Sequence, residues 1–214
     1  MKKIMFSDKY GLTEAVLELR KTMTRRIEPV DMLPGRREDE IEKFYQRKAT
    51  DAKGRQVWMG FDKNNNWIAQ LVSHYAIGEV VAVAQSYENA INPLDWVNRL
   101  IYKDEPGWTN KMFVKAECMP HRIRITGIKA ERLQDISDED CLREGIYEYY
   151  PYIDRNPNDK LKSYRFIDKK SKYGYYQLSP VRDCFAALID RISGKGTWER
   201  NPWVLPYEFE LIKY

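Results

Sequence analysis

Four bases and two hydroxyls stand within seven residues in the run Arg20-Lys21-Thr22-Met23-Thr24-Arg25-Arg26. Leu12, Val16 and Leu19 precede them at spacings of four and three, the period of an amphipathic helix. Carried forward, that period sets Lys21 and Thr24 on one helical face, within reach of each other. A lysine amine beside a threonine hydroxyl has two chemical uses. With its pKa lowered by burial or by cationic neighbours, it can take the hydroxyl proton and make a nucleophile. With Arg25 and Arg26 it can instead hold an anion, usually phosphate. A third reading needs no ligand, since bases in the last turn of a helix complement its macrodipole.

The elements that must position these residues can be read along the chain. Lys3 to Phe6 predicts a short strand, followed by Gly11 and the helix just described. Residues 28–56 are polar and broken by Pro29, Pro34, Gly35 and Gly54, which predicts a loop or insertion with a short helix at 38–47. Trp58, Met59 and Phe61 lead into Asp62-Lys63-Asn64-Asn65-Asn66, and Trp67, Ile68 and Leu71 lead out, which is hairpin chemistry. Ile77 to Ala84 predicts a buried strand, and Gln85 and Tyr87 stand at its exit. Residues 88–110 are irregular, with a short helix expected near 94–100. Met112, Val114, Ala116 and Cys118 alternate as in a strand, and Ile123, Ile125, Ile128 and Ala130 predict another. Ser137 caps a small helix with acids in its first turn and Gly145 at its end. The last long helix starts at Ser179-Pro180 and carries the apolar stripe Val181, Phe185, Leu188, Ile189 and Ile192. Val204 to Ile212 is the final strand. Strands cluster rather than alternate with helices, so the expected class is α+β around a mixed or barrel-like sheet.

Composition bounds the function. The 214 residues fit one domain with insertions at about 28–56, 88–110 and 146–178. A net charge of +4 permits an acidic partner without demanding one. Fifteen tyrosines and six tryptophans are the unusual feature, and aromatics beside bases are what single-stranded nucleic acid stacks on. Residues 147–176 concentrate them. There, Arg155, Lys160, Lys162, Arg165, Lys169, Lys170 and Lys172 outnumber Asp154, Asp159 and Asp168. That segment reads either as a nucleic-acid surface or as a solvated insertion whose tyrosines cover the core. Cys118, Cys141 and Cys184 are far apart and form no metal-ligand or disulfide pattern, which points to a reducing, cytoplasmic compartment. His74 and His121 sit in no zinc or triad pattern. The start is too quickly polar for a signal peptide, no run reaches transmembrane length, and no cofactor or metal is expected.

Three separated blocks carry a family likeness. The first is Phe6-Ser7 with Arg20-Lys21-Thr22-Met23-Thr24-Arg25-Arg26. The second is Ile77-Gly78-Glu79-Val80-Val81-Ala82-Val83-Ala84-Gln85-Ser86-Tyr87. The third is Ile128 to Gly145, joined by Gly196-Thr197-Trp198 and Asn201-Pro202-Trp203-Val204. In order and spacing the chain resembles the ASCH domain proteins of the PUA-like superfamily, above all the long phage and prophage versions. The resemblance implies a small mixed β-barrel with flanking helices and a cleft beside the first helix. It implies RNA association or, as in some small bacterial members, removal of the acetyl group of N4-acetylcytidine by a Lys, a Thr and a Glu. Lys21 and Thr24 match the first two. The acid that usually ends the strand of the second block is Gln85 here, which can hydrogen-bond but cannot carry a proton.

The first functional expectation is therefore a nucleic-acid or nucleotide binding module. Lys21, Thr24, Arg25, Arg26 and Gln85 would line its cleft, with Tyr87, Trp198 or Trp203 to stack on a base. RNA, single-stranded nucleic acid or a modified nucleoside would be the partner, and a membrane would not. The second expectation is an amidohydrolase in which Lys21 and Thr24 are catalytic. The third is a phage structural or assembly protein that keeps the fold without the cleft's function.

Overall fold

The computed structural model describes residues 1–150 and 162–212. β1 (Lys3–Ile4) runs through a single 3-10 turn into α1 (Leu12–Leu17). The helix does not continue into the basic run. Leu19 adopts φ 63°, and the amides of Arg20 and Lys21 both donate back to the Ala15 carbonyl, each at 2.9 Å. This left-handed residue closes the helix. The chain then enters β2 (Met23–Arg26) in an extended conformation, so Lys21 and Thr24 never share a helical face.

Residues 28–56 are more ordered than their composition predicts. They hold β3 (Val30–Met32), a 3-10 turn at Glu38–Glu40 in place of the expected helix, and β4 (Lys43–Gln46). The predicted hairpin follows as β5 (Val57–Phe61) and β6 (Trp67–Val72). β3 and β4 flank it, giving a four-stranded antiparallel sheet in the order β3-β6-β5-β4.

Next come β7 (Val80–Val83), α2 (Tyr87–Ala90) and α3 (Trp96–Tyr102). The alternating stretch Met112–Cys118 is not a strand. It turns, ending in a 3-10 turn at Ala116–Cys118, and leaves Met112 and Phe113 68% and 65% exposed. The Lys3 ammonium takes the carbonyls of Lys111, Met112 and Val114 at 3.2, 2.6 and 2.9 Å, so a side chain satisfies groups that a neighbouring strand would otherwise have paired. β8 (Arg122–Ile128) and β9 (Glu131–Arg132) fall where the alternation predicts. α4 (Asp138–Arg143) is capped as expected, with the Asp140 amide donating to Ser137 Oγ at 3.1 Å.

β10 (Tyr147–Tyr149), β11 (Ser163–Ile167) and β12 (Tyr175–Leu178) form a three-stranded antiparallel sheet. It packs on the body through Phe166, which is fully buried beside Tyr10 and Tyr176. Arg165 lies between the rings of Tyr149 and Tyr175, while Lys162 and Lys169 pair with Glu148 and Glu14. Asp154, Arg155, Asp159 and Lys160 of this basic, tyrosine-rich segment lie outside the described residues. α5 (Val181–Ser193), α6 (Thr197–Arg200) and β13 (Trp203–Ile212) complete the chain.

The central sheet runs β1-β7-β8-β13-β2, with β9 also on β13. β1 and β7 are parallel and the other pairs antiparallel. The expected barrel is not formed. Among the described residues β1 and β2 are open edges, and the chain leaves β2 for a different sheet. The class is α+β. The alternating inward residues of β8 and β13 (Ile123, Ile125, Tyr207, Phe209) share one core with Phe185, Leu188 and Ile189 of α5. No helix among the described residues is long and apolar enough to cross a membrane.

Candidate functional site

Lys21 reaches its place through β-type pairing, not through a helix. It forms an isolated antiparallel bridge with Glu144, and the Thr22 amide donates to the Arg143 carbonyl at 3.0 Å. The C-terminal end of α4 is thereby fixed beside the start of β2. On the other side β2 pairs with β13, Thr24 opposite Tyr207.

This junction forms the floor of a cavity of about 420 Å3 lined by Lys21, Thr24, Arg25, Arg26 and Glu144. Leu12 of α1 and Phe185, Leu188 and Ile189 of α5 give it an apolar wall, and Ser7 and Ser193 add hydroxyls. Its size lies in the range of small-ligand sites, about 300–1,000 Å3.

Lys21 and Glu144 are almost sealed from water, with side-chain exposures of 1% and 6%. The Lys21 ammonium donates to Glu144 Oε2 at 2.6 Å and to the Glu144 carbonyl at 2.8 Å. Burial lowers the Lys21 pKa below an ordinary lysine's. Glu144 opposes that shift without cancelling it, and Arg26 and Arg25 reinforce it. The other carboxylate oxygen of Glu144 accepts from the Arg25 amide at 2.7 Å and from Arg25 Nη1 at 3.2 Å.

Arg25 is fully engaged. Its Nε and Nη2 donate to Glu131 Oε1 at 2.9 and 2.7 Å, and Nη2 also to Asp140 Oδ2 at 2.9 Å. Burial works against its charge, but Glu144 and Glu131 outweigh burial and raise its pKa. Arg20 turns away from the cavity onto Glu18. The Thr24 side chain is buried in the cavity lining, and no hydrogen bond ties its hydroxyl to another described residue.

The structure thus brings together Lys21, Thr24, Arg25 and Arg26, and places Gln85, Tyr87, Trp198 and Trp203 elsewhere. Gln85 Oε1 lies 2.7 Å from His121 Nδ1, and its side chain lines a separate, smaller pocket with Asp8, Thr13 and Glu14. Tyr87 stacks on Tyr102 with centroids 4.5 Å apart. Trp198 packs edge-on against Phe185, and Trp203 is held between the Phe44 ring and the Arg132 guanidinium. These three aromatic rings are spent on packing.

Glu144 is the residue that sequence reasoning missed. The signal was its position. A carboxylate one residue past the last turn of α4 faces the negative end of the helix dipole, an unfavourable place unless a specific partner holds it. Glu131 and Asp140, which anchor Arg25, were missed with it. Among the described residues, no group of three or more His, Cys, Asp and Glu side chains is arranged to hold a metal ion.

Chemically, the cavity offers an amine whose burial favours its neutral form, a hydroxyl without a fixed partner, and a carboxylate on the amine. Comparison of the chain with family models, with curated proteins and with solved structures finds no match in any of the three.

Proposed function

We propose that the cavity is the active site of an amidohydrolase that cleaves an N4-acylated cytidine-type nucleoside. The observation that carries this reading is Glu144, 2.6 Å from the Lys21 amine in a cavity that Thr24 also lines. It supplies the acid absent from position 85, so Lys, Thr and Glu meet at one site. The resemblance to ASCH domain proteins supports the same assignment, with Glu144 in the acid's role.

The chemistry follows from the three groups. Neutral Lys21 takes the Thr24 hydroxyl proton, and the Thr24 oxygen attacks the amide carbonyl carbon. The tetrahedral intermediate collapses, the C–N bond breaks, and the leaving amine takes the proton back from the Lys21 ammonium. Water then attacks the Thr24 ester, the Lys21–Glu144 pair passes one of its protons to the departing Thr24 oxygen as the ester C–O bond breaks, and the carboxylic acid is released. Glu144 holds Lys21 in position and stabilises its ammonium between these transfers. The net change is amide plus water to amine plus acid.

The nucleic-acid-binding reading draws less from the geometry. Lys21 and Arg25 already face carboxylates, and paired bases release few counterions from a polyanion. The assembly-protein reading is weakened by a cavity that the chain's own side chains leave open.

The test is hydrolysis of N4-acetylcytidine by the purified protein, followed as cytidine released. Turnover is expected in the wild type. It should fall by at least about a hundredfold in Thr24→Ala and in Glu144→Gln, the scale of a lost nucleophile or proton-handling group. Wild-type protein without turnover, or variants that match it, would discard the assignment.

A further inference from the structure

Of the four bases in the Arg20–Arg26 run, three are neutralised by carboxylates: Arg20 by Glu18, Lys21 by Glu144, and Arg25 by Glu131, Asp140 and Glu144. Arg26 is the exception. Among the described residues it makes no ion pair, and its Nη2 donates to a neutral acceptor, the Met5 carbonyl. Its guanidinium sits 5.8 Å from the Phe6 ring, and its Nε is sealed from water with no hydrogen-bond partner. A guanidinium cannot shed its charge, and a buried donor without a partner is costly. Arg26 nevertheless lines the cavity, along with the Ser7 and Ser193 hydroxyls. Among the described residues Glu144 is the one acid in that lining, and it is already taken by Lys21 and Arg25. The cavity therefore carries an unbalanced positive charge, with Arg26 Nη1 the guanidinium nitrogen left for an anion such as a phosphate.

A second groove meets the cavity at Ile27. It is lined by Glu28, Glu38 and Asp39 against Arg132 and Arg200. A phosphodiester chain leaving the cavity by this route would pass more acids than bases. The site thus favours one phosphate and disfavours a string of them.

We infer that the ligand of this cavity carries a terminal phosphate monoester docked on Arg26. Resting on the amidohydrolase reading, this makes the preferred substrate a nucleoside 5′-monophosphate, ahead of both the free nucleoside and RNA. The deacylation itself is unchanged; Arg26 sets which substrate is held.

Calorimetric titration of the full chain at low salt with cytidine, cytidine 5′-monophosphate and tetracytidylate tests this. The monophosphate should bind at least about tenfold more tightly than cytidine, the effect of one hydrogen bond to a charged group. Arg26→Gln should collapse that ratio to near unity, while Arg26→Lys, which keeps the charge and loses the planar guanidinium, should retain part of it. Equal affinity for cytidine and its monophosphate in the wild type overturns the inference. So does a ratio that survives in Arg26→Gln, or tighter binding of tetracytidylate than of the monophosphate. Turnover of N4-acetylcytidine without any preference for the phosphate leaves the enzyme reading standing and removes this one. Absence of both binding and turnover removes both.

Discussion

Lys21 and Glu144 form a buried ion pair, and Glu144 is also held by Arg25. Lys21→Met should cost about 3 kcal/mol in urea unfolding, the lower end for a broken buried pair, because Arg25 still holds Glu144. Lys21→Met combined with Glu144→Gln should recover most of that loss, since the amide still accepts from the Arg25 amide and no buried charge is left alone. Equal loss in the single and the double variant would mean that the pair is not coupled. The pH behaviour belongs to the same residue. Its folded pKa lies below its unfolded one, because burial favours the neutral amine. Between those two values the unfolded chain binds more protons, so stability should rise with pH across that window and stay flat below it. The proposed deacylation needs the same neutral amine. The rate should therefore climb with pH along a limb centred below that of an ordinary lysine, and the stability window should vanish in Lys21→Met.

At the scale of elements, the site depends on the end of α4 being held against β2. Ser137→Ala removes the cap at the other end of that helix and should cost about 1 kcal/mol, measured by urea unfolding. Gly145 directly follows Glu144 and adopts φ 103°. A Cβ there would stand 3.2 Å from Leu12 Cδ2 and 3.5 Å from Lys21 Cδ. Gly145→Ala should therefore cost more than 1 kcal/mol in stability, roughly the penalty of a strained backbone residue, and lower turnover by displacing the Lys21 stem. By contrast, Gln85→Glu should leave turnover unchanged, because that side chain faces His121 and another pocket. The same elements explain what the sequence could tell. The small helix α4 was legible because its caps and first-turn acids are local signals. The hairpin β5–β6 was legible because turn residues sit between two apolar runs. The end of α1 was not, since nothing local predicts a leucine in the left-handed region. Met112–Cys118 alternates like a strand, but its Met112 and Val114 carbonyls are claimed by Lys3, more than a hundred residues earlier. Lys21 and Thr24 were expected on one helical face; the helix ends before them, and both line one cavity with Thr24 on a strand. Glu144 could not be paired with Lys21 by eye, because the contact spans 123 positions.

For the whole molecule, β13 is the common rail. It pairs with β8 and β9 along its length and is the strand on which β2 is laid. A chain ended after Ser193 should lack a cooperative unfolding transition and any turnover, because β2 would have no sheet partner and the core would lose Leu205, Tyr207 and Phe209. A cooperative transition in that truncated chain would show that the rest folds without β13. The same arrangement governs the order of events during synthesis. Thr24 leaves the ribosome early, and Tyr207, its partner across the sheet, follows roughly 180 residues later, about 10–35 s at 5–20 residues per second. Through that interval β2 lacks the strand on which it is laid. Until the last strand arrives, the exposed β2 edge of the nascent chain is a point where a chaperone would engage it.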